Sequence, residues 1–265
     1  MIRLYYATYR LVPASYRLLK LLAASHVFLR AIFSGIWLGF LRREALLEVN
    51  SLYYSRSQKY SDPGYNKSGL TAWENAVITR YFHECKRLLL LGVGGGREMV
   101  ALRRLGYEVH GFECNPALVG VANALLAGEG LTPSVEFAAP DTCPRRPETY
   151  DGLIVGWGAY MLIQGRHKRI ALLRKMRAQV GTGTPLLISF FFRSPDARQF
   201  FVTEMIGNTL RRLLGREMIE LGDALEPEYV HYFTQGEIAG ELKDGGFVLE
   251  YYREEPYGHA VGIAN

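Results

Sequence analysis

The sequence has few cysteines, and their spacing argues against two kinds of site. The 265 residues contain three cysteines, Cys85, Cys114 and Cys143, and no two of them form a C-x-x-C pair. A disulfide framework or a structural zinc site needs paired cysteines, whereas an odd and scattered set is typical of reduced thiols in a cytosolic protein. We therefore expect a cytoplasmic protein without a metal centre.

Acidic residues are missing from the first part of the chain. Residues 1–43 contain seven lysines and arginines and no aspartate or glutamate, whereas the whole chain has a formal charge of +5, so the other residues together carry −2. The chain is thus a basic arm followed by a slightly acidic body. A basic charge confined to an arm does not indicate a nucleic-acid-binding enzyme, and we expect no nucleic-acid partner.

The arm also lacks an uncharged run of the length that a membrane span needs, about 18–20 residues. Residues 1–49 are predicted to be a helical extension, broken or kinked near Pro13 and at Ser34-Gly35, where proline and glycine interrupt the helical pattern. Two interpretations remain open. The helices pack over the rest of the protein or a second subunit, or residues 1–43 form an interfacial anchor that holds the protein peripherally at an anionic membrane.

Residues 87–115, RLLLLGVGGGREMVALRRLGYEVHGFECN, predict one βαβ unit. The apolar run Leu88 to Leu91 is typical of a strand buried on both faces. A glycine-rich turn and a helical pattern follow, and a second strand ends at Glu113. The glycines allow positive φ and close approach of a ligand to bare backbone. The start of the helix favours an anionic group, and the Glu113 carboxylate suits a ribose diol.

The spacing of the glycines discriminates between cofactors. A dinucleotide fingerprint is G-x-G-x-x-G, but the sixth position counted from Gly92 is Arg97. The pattern present is G-x-G-x-G, from Gly92 to Gly96. Together with Glu113, this pattern resembles motifs I and II of the class I S-adenosylmethionine-dependent methyltransferases. The sequence departs from that family at Leu90, where an acidic residue usually lies near the amino group of the methionine, and Glu98 is the substitute that we consider.

The resemblance implies an α/β fold, a Rossmann-like, doubly wound and mostly parallel sheet of seven strands with a C-terminal antiparallel hairpin. The methyltransferase-like domain would cover residues 50–265 and follow the helical extension 1–49. An insertion at residues 194–226 would shape the acceptor pocket.

The resemblance also implies a set of cofactor-binding residues around the ends of the strands. In this role Asp141 would recognise the adenine amino group, and Tyr65 and Gly69 would belong to a segment that folds over the cofactor. The predicted S-adenosylmethionine-binding residues are Tyr65, Gly69, Gly92, Val93, Gly94, Gly96, Glu98, Glu113, Cys114, Asn115, Asp141, Thr142, Gly156 and Trp157.

The expected activity is methyl transfer to a small-molecule acceptor by in-line positioning, with Trp157, Tyr160 and Tyr232 as the catalytic candidates. Methyl transfer to a good nucleophile needs placement and desolvation more than a catalytic dyad. No Asn-Pro-Pro-Tyr-type tetrad follows the fourth strand, which disfavours methylation of nucleobases or glutamine. The alternatives are a non-catalytic cofactor-binding or scaffold protein at a membrane surface and, disfavoured by the glycine spacing, a nicotinamide-dependent reductase.

Overall fold

The structure is a computed structural model that describes residues 11–147 and 149–265, and of residues 11–24 only the backbone. The chain forms two compact units. The smaller unit contains the described residues up to Arg42 together with Asp196–Leu225, and the larger unit contains Arg43–Pro195 together with Glu226–Asn265.

The helices of the described chain are α1 (Leu11–Phe40), α2 (Arg43–Arg56), α3 (Gln58–Ser61), α4 (Pro63–Asn66), α5 (Ala72–Tyr81), α6 (Arg97–Arg104), α7 (Pro116–Gly128), α8 (Arg166–Arg177), α9 (Arg198–Leu213) and α10 (Gln235–Gly245). The strands are β1 (Arg87–Leu91), β2 (Glu108–Glu113), β3 (Val135–Phe137), β4 (Gly152–Val155), β5 (Pro185–Phe192), β6 (Asp223–Leu225), β7 (Tyr229–Phe233), β8 (Phe247–Arg253) and β9 (Gly258–Ala264).

The sheet of the larger unit has the predicted architecture. Strands β3, β2, β1, β4 and β5 lie side by side in this order and are parallel. Strand β9 pairs antiparallel with β5, and β8 pairs antiparallel with β9, which forms the predicted C-terminal hairpin. The predicted Rossmann-like sheet of seven strands is thereby confirmed. The short strand β7, which the sequence did not predict, pairs in parallel with the end of β5.

The apolar run of β1 lies at the centre of this sheet. Leu88, Leu89 and Leu90 are fully buried, because β1 is flanked by β2 and β4 and both faces are covered. The core around it includes Met99 and Val100 of α6. Local sequence signals are sufficient here, because a buried strand followed by a glycine turn and an amphipathic helix allows few other arrangements.

The connector before the sheet contains two short helices. Residues 60–66 belong largely to α3 and α4. Asp62 separates the two helices and caps α4, because its carboxylate accepts the backbone N–H groups of Gly64 and Tyr65. A capping box begins α5, where the Glu74 carboxylate accepts the N–H and the hydroxyl of Thr71.

The smaller unit is built on the packing of α1 against α9. The predicted break at Ser34-Gly35 is wrong, because α1 runs without interruption through both residues. Pro13 lies in the first turn of α1, which begins at Leu11, and the part of the predicted extension before Leu11 lies outside the described residues. Gly35 and Gly39 serve close packing instead. A Cβ atom at Gly35 would lie 2.8 Å from the backbone oxygen of Thr203, and one at Gly39 would lie 2.7 Å from the Cβ of Leu210. Glycine at these two positions lets the helices approach more closely than any side chain would allow.

The backbone carbonyl groups at the end of α1 accept hydrogen bonds from a side chain of the same unit. The buried Arg211 guanidinium donates to the backbone oxygens of Leu38 at 2.7 Å and of Leu41 at 3.0 Å. These carbonyls have no partner within the helix, so a buried arginine replaces water as their donor.

Among the described residues, no helix combines the length and the apolar character required to cross the bilayer.

The packing of α1 leads to a first prediction. Gly35→Ala is expected to lower the free energy of unfolding by about 1–3 kcal/mol, because the new methyl group would clash with the backbone oxygen of Thr203. Gly120→Ala is the matched control, since Gly120 also lies inside a helix but a methyl group added there would have no neighbouring atom within 4 Å. It is expected to raise stability by about 0.5–1 kcal/mol. Urea unfolding measures both, and equal effects of the two changes would contradict the proposed role of Gly35.

Candidate functional site

The glycine-rich turn after β1 needs glycine for backbone conformation and for space. Gly92, Gly94 and Gly96 have φ values of +71°, +58° and +99°. Gly95 has an ordinary φ, but a side chain there would run into the backbone oxygen of Tyr60. A side chain at Gly156, after β4, would likewise run into the backbone oxygen of Gly92. The turns after β1 and β4 therefore meet as bare backbone at the carboxyl edge of the sheet.

Glu113 connects this turn to the end of β2. Its buried carboxylate accepts the backbone N–H of Gly94 at 2.8 Å with one oxygen and the N–H of Asn115 at 2.8 Å with the other. A carboxylate has about four acceptor positions, so capacity for two more donors remains. The two N–H groups stabilise the charge and fix its orientation at the strand end.

Asn115 extends the connection to the helix α2. Its side-chain oxygen accepts the N–H of Ala117 and caps α7, and its amide group donates to the Ser55 hydroxyl at 2.9 Å and to the backbone oxygen of Ser51 at 3.3 Å. A second asparagine holds the same helix, because Asn50 accepts the N–H of Tyr229 at 2.8 Å. Helix α2 is thereby placed across the carboxyl edge of the sheet.

Glu98 lies at the start of α6, beside the turn after β4. Its carboxylate accepts the backbone N–H of Trp157 at 3.0 Å. Burial raises the pKa of Glu98 to about 8, although the neighbouring Arg97 guanidinium works in the opposite direction. Arg97 is itself engaged by Glu74, in a bidentate pair with N–O distances of 2.7 and 2.6 Å. Burial acts to raise the pKa of Glu74, but the hydrogen bonds and charge of Arg97 and the contacts with Thr71 outweigh it, so the net direction is downward.

These elements surround a cavity of about 380 Å³, and all of its lining residues belong to the larger unit. The predicted cofactor residues that line it are Tyr65, Gly92, Val93, Gly94, Glu98, Glu113, Cys114, Asn115, Asp141, Thr142 and Trp157. The predicted residues that do not line it are Gly69, Gly96, Gly156, Tyr160 and Tyr232. None of the residues 194–226 lines this cavity.

The three glycines outside the lining have other roles. Gly96 begins α6 and lets it approach Ala122 of α7, and Gly156 lets the turn after β4 approach Gly92. Gly69 has a φ of +83°, and its backbone oxygen accepts a hydrogen bond from Arg97. They shape the site without forming its surface.

Two of the three catalytic candidates lie away from the cavity. Tyr160 is fully buried, and its hydroxyl donates to the Glu241 carboxylate at 2.7 Å. Burial, together with the charge of Glu241, raises the pKa of Tyr160 well above the ordinary value. The Tyr232 hydroxyl donates to Glu226 at 3.1 Å. The positions of Tyr160 and Tyr232 therefore give no support to a catalytic role, and Trp157 alone of the three faces the cavity.

Helix α2 contributes to the wall of the cavity, which we did not predict from the sequence. The residues of this helix that line the cavity are Leu47, Glu48, Asn50, Ser51 and Tyr54. Residues 47–49 fall in the segment that we predicted as a separate extension. The polar residues within an otherwise apolar helical pattern were the available signal, but their partners Asn115 and Tyr229 lie far away along the chain.

Asp141 and Asn66 are two polar residues with unusual environments in the cavity wall. Asp141 has a φ of +58°, and its carboxylate forms an ion pair with Lys168 at 3.0 Å. The amide of Asn66 donates to the backbone oxygen of Tyr60, but its oxygen Oδ1 is buried and has no hydrogen-bond partner among the described residues. A buried acceptor without a donor costs free energy, and such an atom in a cavity wall favours a ligand that supplies the donor.

No protein-family model matches the sequence, and a comparison with curated proteins finds no match.

Several solved structures share the fold of this chain. A methyltransferase from Methanosarcina mazei has 18% identity and a TM-score of 0.58, over 74% of this chain and 98% of its own. An amino pentose methyltransferase from Micromonospora echinaspora, solved with bound S-adenosylmethionine, has 15% identity and a TM-score of 0.53, over 82% and 96%.

A third similar structure is the magnesium protoporphyrin IX methyltransferase from Synechocystis, also solved with bound S-adenosylmethionine. It has 11% identity and a TM-score of 0.54, over 82% of this chain and 96% of its own. At these identities the likeness concerns the fold. This chain has the fold of the class I S-adenosylmethionine-dependent methyltransferases.

Proposed function

We propose that this protein is an S-adenosylmethionine-dependent methyltransferase that acts on a small-molecule acceptor. The observation that carries the proposal is the cavity at the carboxyl edge of the sheet, which combines the bare backbone of Gly92 and Gly94 with the Glu113 carboxylate. The likeness of the fold to methyltransferases supports this assignment.

The residues of the cavity fit the cofactor. Glu113 retains acceptor capacity for a ribose diol, and Asp141 lies in the same wall for the adenine amino group. The family's usual acidic position is Leu90, which is fully buried in β1 and does not line the cavity. Glu98 and the unpartnered Oδ1 of Asn66 instead supply acceptors for the ammonium group of the methionine.

Positioning is the catalytic contribution that we assign to this chain. S-Adenosylmethionine supplies an activated methyl group, and the protein must place the acceptor in line with it and exclude water. Trp157 provides an apolar wall at the end of β4, and its backbone N–H is fixed by Glu98. Between Gly156 and Tyr160 the chain has no histidine and no carboxylate that would act as a general base.

Cofactor identity gives a second prediction. Calorimetry should detect binding of S-adenosylhomocysteine and no comparable binding of NAD or NADP. Glu113→Ala should weaken S-adenosylhomocysteine binding by about 1.5–3 kcal/mol, the scale of hydrogen bonds to a charged group. Tight binding of NADP without a response to S-adenosylhomocysteine would assign the protein to the reductase alternative. Formation of S-adenosylhomocysteine with an acceptor would separate an enzyme from a scaffold protein.

Glu98 gives a third, pH-dependent prediction. The pKa of Glu98 is about 8, so near pH 6 its side chain is mostly protonated and pairs poorly with an ammonium group. S-Adenosylhomocysteine affinity should therefore rise between about pH 6 and pH 7.5, by at most tenfold per pH unit, as binding releases the proton. Glu98→Gln should remove this rise, and a flat profile for the wild-type protein would contradict the role of Glu98.

The ligand-free protein should respond to pH in the opposite direction, which serves as an internal control. The folded state holds the Glu98 proton more tightly than the unfolded state does, since burial has raised the pKa. This contribution to stability is complete below the unfolded pKa of about 4.5 and is lost as the pH rises towards 8.

We also propose that α1 holds the protein at an anionic membrane surface. Leu29, Phe33, Ile36 and Phe40 recur at spacings of four, three and four, so they share one face, and they are 38–64% exposed. A different face of α1 packs in the smaller unit through Gly35 and Gly39. An exposed apolar stripe in a basic and acid-free segment suits the interface of an anionic bilayer.

A fourth prediction tests this surface. The protein should float with vesicles that contain phosphatidylserine and less with pure phosphatidylcholine, and salt should weaken the association. Phe33→Asp with Phe40→Asp should abolish flotation, whereas Leu105→Asp, at a similarly exposed leucine of the larger unit, should not. A wild-type protein that does not float but forms dimers dependent on Phe33 would assign the stripe to a second copy of the chain.

A further inference from the structure

The aromatic wall of the cavity already contacts a cation. The ammonium nitrogen of Lys59 lies 4.6 Å from the ring centroid of Trp157, 4.7 Å from that of Tyr65 and 5.8 Å from that of Tyr60. All three rings line the cavity, and all three distances are within the range of about 6 Å at which a cation is attracted to an aromatic face. The wall around Trp157 therefore has the chemistry of a cation site.

The charged residues of the cavity lining are mostly acidic. They are Glu48, Glu98, Glu113, Asp141 and Arg97. The single cation of this lining, Arg97, is neutralised by its bidentate pair with Glu74. Among the described residues of the lining, no lysine or arginine thus remains unpaired, although the Lys59 ammonium lies beside the aromatic wall.

Glu48 is the lining carboxylate that has no role in the fold and none in the proposed cofactor site. Asp141 pairs with Lys168, Glu113 accepts two backbone N–H groups, and Glu98 accepts that of Trp157. Glu48, on the exposed side of α2, forms neither a hydrogen bond nor an ion pair with any part of the chain that the structure describes.

Another carboxylate without a full set of partners, Glu228, lies near Tyr60 and Tyr257. Glu228 is 7% exposed, and its oxygen Oε2 is buried without a hydrogen-bond partner among the described residues. Burial, with a smaller contribution from the charge of Glu226, raises the pKa of Glu228. Burial and then neighbouring charges, including that of Glu228, also raise the pKa of Tyr257, whose ring lies 4.7 Å from that of Trp157.

We propose that the methyl acceptor is a small molecule with a protonated amine, bound with its ammonium group towards the Trp157 and Tyr65 rings and the Glu48 carboxylate. This inference rests on the proposed methyltransferase function and names the class of its acceptor. An anionic acceptor would find Lys59 beside these rings but would also meet the π faces and the Glu48 carboxylate, whereas an ammonium group is attracted by the rings and by the carboxylate. A neutral acceptor would gain from neither.

The charge of Lys59 allows an experiment to determine the sign of the acceptor's charge. Its ammonium lies on the same rings and repels a second cation, but it would attract an anion. Removing this charge should therefore strengthen the binding of an amine and weaken the binding of a carboxylate. Removing the charge of Glu48 should have the opposite effect on each.

The fifth prediction uses three probes of matched shape: phenethylamine, phenethyl alcohol and phenylacetate. Each is titrated by calorimetry at low ionic strength into protein saturated with S-adenosylhomocysteine. We expect phenethylamine to bind most tightly. Glu48→Gln should weaken its binding about three- to fivefold, the scale of an exposed ion pair, and Lys59→Gln should strengthen it. Glu44→Gln, an exposed position of α2 outside the lining, is the matched control and should change nothing.

The outcomes separate the two proposals. Absence of S-adenosylhomocysteine binding in the first titration would refute the methyltransferase assignment itself. If the cofactor product binds, tighter binding of phenylacetate, no binding of phenethylamine, or an amine affinity that Glu48→Gln leaves unchanged would each overturn the amine assignment. Unfolding temperatures of the variants are measured in parallel, so that a loss of affinity is assigned to the site only where the fold is intact.

Discussion

The cavity depends on the two hydrogen bonds that the Glu113 carboxylate accepts from Gly94 and Asn115. They tie the turn after β1 to the end of β2, and Asn115 continues the connection to α2 through Ser55. Each hydrogen bond to a buried charge contributes about 1.5–3 kcal/mol, and losing the carboxylate would leave both donors unsatisfied. One acidic side chain thus orders the glycine turn and the helix that covers it, and still has acceptor capacity for a ligand.

The electrostatics of the cavity follow from how its other charges are paired. Arg97 is held by Glu74, and Asp141 is held by Lys168, so both pairs are largely neutral. Glu98 has a backbone donor, but burial keeps its pKa near 8, so its charge is available only when a cation or a higher pH favours it. A cavity of this kind suits a cationic cofactor, and the aromatic wall extends the same preference towards the acceptor.

The smaller unit shows why both interpretations of the basic arm are compatible with one helix. Close packing requires small residues on one face of α1, and Gly35 and Gly39 provide them against α9. A different face of α1 carries Phe33 and Phe40, which are exposed. A helix that packs on one side and exposes an apolar stripe on the other has a surface left for a partner, and the excess of arginine in this segment favours an anionic one.

The sequence alone determined the βαβ unit, the alternation of strands and helices along the chain, and the C-terminal hairpin. These features depend on apolar periodicity, glycine turns and caps, which act over a few residues. It also placed Gly92, Glu113 and Trp157 at the cavity, since strand ends meet at one edge of a parallel sheet. Only the tertiary structure decided that α2 lines the cavity, because Asn50 meets Tyr229 across 179 positions of the chain. It likewise decided that Tyr160 turns to Glu241 instead of the cavity: which way a side chain points after a turn depends on distant partners, and no local pattern encodes them.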